Sequence, residues 1–137
     1  MVRCSLRPLF LFLLPLPLFS VGCGSSRDLQ SITILPAAAN AQNFPNGKVA
    51  FTATGVFSKP PSPETLTNMD VSWCVGSQGT CAGNINPGVT VDGNGVASCV
   101  GNFTGTRTIL AGKAKSVGMP DQGGQLSIFG SAQLTCP

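Results

Sequence analysis

The chain has 137 residues and a formal net charge of +3, enough for one ordinary domain with one core. Charged residues make up only 9%, and histidine is absent, which excludes a histidine-dependent catalytic triad or dyad. From Cys23 onward six basic residues stand against five acids with no basic cluster, so the chain carries no electrostatic footprint for nucleic acid.

Seventeen glycines, eleven prolines and many Thr, Ser and Asn residues supply turns and strands. No stretch keeps a 3.6-residue apolar period, so the composition predicts an all-β domain with minimal helix.

Met1 to Leu9 holds Arg3 and Arg7 and no acid, and an apolar run from Leu9 to Phe19 follows. This is the basic and apolar pattern of a secretory signal, predicted to occupy residues 1–22. Eleven residues interrupted by Pro15 and Pro17 are about half of the ~20 that a membrane helix needs. Ser20-Val21-Gly22-Cys23-Gly24 then resembles the lipobox of bacterial lipoproteins, in which a cysteine after a small residue receives diacylglycerol. Ser20 departs from the usual leucine. An ordinary signal peptidase would cut the same bond, so the two readings differ in the fate of Cys23. On the lipoprotein reading Cys23 carries acyl chains, each buried CH₂ contributing ~0.8 kcal/mol, and residues 23–28 form a tether reaching about 20 Å. The resemblance implies a cell-envelope location. Gly24, where many inner-membrane lipoproteins have Asp, favours the outer membrane. A released periplasmic or secreted domain is the alternative.

From Leu29 to Leu35, Ile32 and Ile34 alternate with Ser31 and Thr33 and stop at Pro36, which predicts an edge strand. Asn46-Gly47 signals a turn, and Lys48 to Phe57 is the clearest strand, with Val49, Phe51, Ala53, Gly55 and Phe57 on one face. Pro60, Pro61 and Pro63 make 58–68 a loop, in which Ser62-Pro63-Glu64 has the composition to start one helical turn. Val71 to Val75 alternates around Trp73, the single tryptophan, and the core is expected to form around its indole. Gly76 to Gly88 is another loop. Val89 to Val91 and Val96 to Cys99 flank Asp92-Gly93-Asn94-Gly95, the pattern of a hairpin. Thr106 to Lys115, a turn from Gly118 to Gly124, and Leu126 to Cys136 complete about seven short strands, which argues for a β-sandwich over residues 29–137.

The ordered set Leu29-Gln30-Ser31-Ile32-Thr33-Ile34, Phe51-Thr52-Ala53-Thr54-Gly55, Val71-Ser72-Trp73, Val89-Thr90-Val91, Gly93-Asn94-Gly95-Val96 and Gly105-Thr106-Arg107-Thr108-Ile109-Leu110-Ala111 resembles the bacterial immunoglobulin-like domain, group 2. The resemblance implies an immunoglobulin-like sandwich used in adhesion, carbohydrate binding or spacing, and it transfers no catalytic residue. Cysteines are a departure from that family.

With Cys4 in the signal and Cys23 acylated, Cys74, Cys81, Cys99 and Cys136 remain, and four cysteines close two disulfides in three possible ways. In an immunoglobulin-like sheet the strands of Cys74 and Cys136 are separated by another, beyond the ~7 Å Cα limit of a disulfide. Of the other pairings, Cys74–Cys81 with Cys99–Cys136 is favoured because the first closes a short glycine-rich loop. Zinc is disfavoured, since structural sites use cysteine pairs spaced by two to four residues.

No Gly-x-Ser-x-Gly or phosphate-loop pattern occurs. A carboxylate pair drawn from Glu64, Asp70, Asp92 and Asp121 is the remaining catalytic option, but all four lie at or near loops and read as turn residues. Asp92-Gly93-Asn94-Gly95 looks like a fragment of a calcium loop without its later bidentate acid. Asn102-Phe103-Thr104 matches a glycosylation acceptor, an accidental match behind a bacterial lipoprotein signal. The sequence thus predicts a non-enzymatic envelope lipoprotein without cofactor or metal, which binds a protein or glycan through loops such as 58–69 or 76–88. The alternative is a structural spacer without a specific ligand.

Overall fold

Side chains that alternate with a period of two place every second residue on one face of a strand, and in this chain the small and apolar members of each pair point inward. The computed structural model describes residues 26–83, 88–115 and 124–137. The signal segment, Cys23, Asp121 and most of the 118–124 turn lie outside them. The domain is an all-β sandwich, and its only helical segments among the described residues are two single 3₁₀ turns, Ala41–Asn43 and Pro45–Gly47.

One layer is a five-stranded sheet of β2 (Ala38–Asn40), β11 (Leu126–Cys136), β10 (Gly105–Ala114), β6 (Ser72–Ser77) and β7 (Thr80–Cys81), in that order. The facing layer consists of two three-stranded sheets. One is β1 (Leu29–Leu35), β4 (Thr52–Phe57) and β5 (Glu64–Leu66); the other is β3 (Lys48–Ala50), β9 (Val96–Cys99) and β8 (Val89–Val91). Pro36 cannot donate to a ladder and ends β1 at the sheet edge; the chain then crosses layers, and β2 runs parallel to β11. That switch of the first strand between sheets is what gives the sandwich its immunoglobulin-like character.

All seven strands read from the sequence are present. Two differences have local causes. The stretch from Lys48 to Phe57 is split at Phe51, whose N–H leaves the ladder to donate to Gly95 O at 2.9 Å. Residues 64–66 form a strand instead of a helical turn, because Leu66 pairs with Ala53 and buries its side chain to 7% exposure in the core.

The main core joins the inner faces, with Ile34, Val49, Val89, Ile109 and Leu134 at or near zero exposure. A second cluster of Cys74, Cys81, Leu110 and Leu126 lies apart from it. Leu110 alternates with the inward residues Ile109 and Ala111 and so points to the outer face of its sheet, where it pairs with Cys74. An apolar outer face needs a cover. The segment from Gly76 to Cys81 supplies it by folding back across the sheet, where Leu126 N–H donates to Gly79 O at 2.7 Å and Cys81 N–H donates to Gly124 O at 2.9 Å. Gly79 has a φ of +75°, and a Cβ there would stand 2.6 Å from the Phe129 ring.

Disulfides join Cys74 to Cys81 and Cys99 to Cys136, with Cα separations of 5.6 and 5.9 Å. Cys74–Cys81 pins the flap onto the outer face, and Cys99–Cys136 ties β9 to β11 across the two layers. Between β6 and β11 runs β10, which keeps Cys74 and Cys136 apart. Replacing Cys74 and Cys81 together by alanine is expected to cost up to about 2.5 kcal/mol on the chain-entropy estimate for so short a loop. Amide hydrogen exchange should accelerate at Gly79, Cys81 and Leu126 before it does in β10; equal protection along the sheet would show that the flap does not need its staple.

Candidate functional site

Because the facing layer is two sheets and not one, it leaves a gap between the end of β5 and the β8–β9 hairpin. A cleft of about 270 Å³ occupies this gap, lined by Phe51, Thr52, Ala53, Thr65, Leu66, Thr67, Asn68, Trp73 and Asn94. Phe51, Ala53 and Leu66 border it but are buried in the core, so Trp73, which reaches it from the opposite layer, is its one partly exposed apolar side chain.

Trp73 is therefore not the centre of the core. It packs against the main cluster but stays half-buried, since the layer that would cover it is interrupted at Phe51. Its indole N–H has no acceptor among the described residues, yet no side-chain nitrogen or oxygen there is both buried and unpartnered. The indole nitrogen is thus not fully enclosed by the protein. Gly95 makes this position possible, for a Cβ on it would meet Phe51 O at 2.6 Å and Trp73 Cζ2 at 2.7 Å, and its φ of +79° favours glycine.

Two turns build the rim. In the hairpin, Asp92 Oδ1 accepts from the N–H groups of Asn94 at 2.8 Å and Val96 at 2.9 Å, while Gly95 N–H donates to Asp92 O at 3.1 Å. The carboxylate holds the turn and directs Asn94 to the cleft, a use that accounts for the residue pattern without calcium. In the second turn, the Thr67 N–H and hydroxyl both donate to Asp70 Oδ2 at 2.8 Å, and the N–H groups of Asp70 and Val71 return to Thr67 O. Asn68 Nδ2 reaches Asn94 Oδ1 at 3.5 Å, linking the two turns weakly.

The two bonds from Thr67, the backbone one first, hold the Asp70 carboxyl below its ordinary value of 3.8. A folded-state value below the unfolded one stabilises the domain above about pH 4, and this contribution disappears as pH falls through the lowered value. Thermal melts from about pH 2 to 5 should show a small acid-side loss that Asp70→Asn abolishes, small because the carboxylate is exposed and screened. An unchanged slope in the variant would mean that another carboxylate drives it.

Glu64 is committed elsewhere. Its Oε2 lies 2.6 Å from Arg27 Nη2, and the Arg27 guanidinium covers the Phe57 ring at 3.6 Å and donates to the carbonyls of Lys59 and Pro61. Asp28 N–H donates to Ser58 Oγ, and Ser58 N–H donates to Asp28 O. Arg27 and Asp28, the last two residues of the expected 23–28 tether, therefore make contacts with residues 57–64, while 23–25 lie outside the described residues. Glu64, Asp70 and Asp92 thus each serve a structural contact, and none is brought to the cleft lining as half of a carboxylate pair. Asp121 lies outside the described residues.

Of the two loops expected to carry recognition, residues 65–68 of the first line the cleft. The second forms the flap, with 84–87 outside the described residues. Asn94, read in sequence only as a turn residue, was the missed member; its signal was the hairpin pattern itself, which fixes a side chain at the tip. No family model matches this chain, and no curated protein matches it.

Proposed function

We propose that this chain is a non-enzymatic bacterial cell-envelope lipoprotein, anchored through Cys23, whose immunoglobulin-like domain of the bacterial group 2 type binds a protein or glycan. The observation that carries the binding role is the cleft: a half-buried tryptophan beside the side-chain amides of Asn68 and Asn94, which two hydrogen-bonded turns hold at its rim. Recognition sites are characteristically concave and apolar with a few placed polar groups. The anchor is supported by the signal pattern and by Gly22-Cys23. With Arg27 tied to the domain, the three residues 24–26, a reach of about 14 Å from Cα to Cα over four steps, would separate it from an acylated Cys23. The end of the sandwich at residues 57–64 would then stand beside the bilayer.

The mass of the N-terminal peptide from the membrane fraction tests the anchor. A Cys23 peptide bearing acyl chains is expected, and an unmodified Cys23 overturns lipidation. Cross-linking in intact cells tests the binding role, which fails if no reproducible partner is found.

A further inference from the structure

We infer that the cleft over Trp73 takes one uncharged pyranose ring, a hexose or an N-acetylhexosamine. This rests on the reading of the domain as a binding module and names its ligand class.

The argument starts from what the lining excludes. No charged side chain lines the cleft among the described residues, so a charged ligand group would be desolvated without a partner, at a cost that favours neutral ligands. Its volume of about 270 Å³ lies below the ~300–1,000 Å³ typical of sites for drug-sized molecules, which suits a single ring. A peptide would more readily add to a sheet edge, but the strands flanking the gap, β5 and β8, have three residues each, too few for a long ladder.

The chemistry that remains matches a sugar. A pyranose has a face of C–H groups and a girdle of hydroxyls, each of them both donor and acceptor. The half-buried indole provides the apolar surface for the first, since Phe51, Ala53 and Leu66 are buried in the core and present little of their own. The side-chain amides of Asn68 and Asn94 provide both donors and acceptors for the second. The Trp73 N–H adds a donor that no protein group among the described residues uses. An acetamido substituent would meet the asparagines with its own donor and acceptor.

The test is a nitrogen-15 NMR titration of the purified protein with glucose, galactose, N-acetylglucosamine and its β1,4-linked disaccharide. At least one sugar is expected to shift the single indole N–H resonance and the Asn68 and Asn94 side-chain amides together. Asn94→Ala is expected to weaken that sugar about fivefold, the loss of one or two neutral hydrogen bonds. The variant keeps the fold, because Asn94 holds its turn through its backbone N–H. Cleft resonances that respond to none of the four sugars overturn the inference, as do sugar-induced shifts of unchanged affinity in Asn94→Ala. Neither result touches the binding role, which stands or falls on cross-linking in cells.

Discussion

Replacing Cys99 and Cys136 together by alanine is expected to lower the stability of the domain by about 4 kcal/mol, the larger loss of the two disulfides. The two cysteines are 37 residues apart in sequence, and in the chain-entropy model the unfolded chain regains more freedom when the longer loop is opened. The bond also spans the sandwich, so its removal leaves β9 held to β11 only by packing. Near 110 residues, each kcal/mol shifts the melting temperature by roughly 4 °C, which places the expected drop near 15 °C in a thermal circular dichroism scan. The variant lacking Cys74 and Cys81 should fall by less. An equal or larger fall in that variant would show that the flap, and not the bridge between layers, dominates cohesion.

Gly95→Ala is the second large effect, at about 2–4 kcal/mol. A left-handed backbone costs a residue with a Cβ roughly 1–2 kcal/mol, and overpacking adds a similar sum. The new methyl group would have backbone on one side, the Phe51 carbonyl, and a large rigid ring on the other, so neither neighbour yields easily. The ring is the easier of the two to displace, and it is the only tryptophan of the chain. Its fluorescence should therefore shift to the red as the indole moves into water, alongside the fall in melting temperature. Gly93→Ala is the control two residues away, where a Cβ meets nothing within 4 Å. Similar fluorescence and stability in both variants would mean that the hairpin relaxes without disturbing Trp73.

These two effects bear differently on function. The disulfide governs how firmly the layers are held, whereas Gly95 governs where Trp73 sits and hence the shape of the cleft. A milder distortion at Gly95 that leaves the fold intact would alter the site before it altered the scaffold.

Local patterns made much of the architecture legible. Val49, Phe51 and Ala53 are buried and Ala50 and Thr52 exposed, as a period of two dictates, and the same holds for Ala132, Leu134 and Cys136. Asp92-Gly93-Asn94-Gly95 specifies its hairpin through bonds made within five residues. One clue to the second cluster was also present, since Ile109-Leu110-Ala111 is apolar without alternation, the signature of a strand covered on both faces.

The sequence by itself determined which segments are strands and which way their side chains alternate, because each depends on near neighbours along the chain. Only the tertiary structure decided that residues 76–81 fold over Leu110, that Arg27 joins the domain through Phe57 and Glu64, and that Trp73 looks out through a gap. Those outcomes depend on which distant segments meet. The cleft exists because β5 pairs with β4 and β9 pairs with β3, leaving Phe51 between them, and no periodicity within either segment encodes where its partner stops.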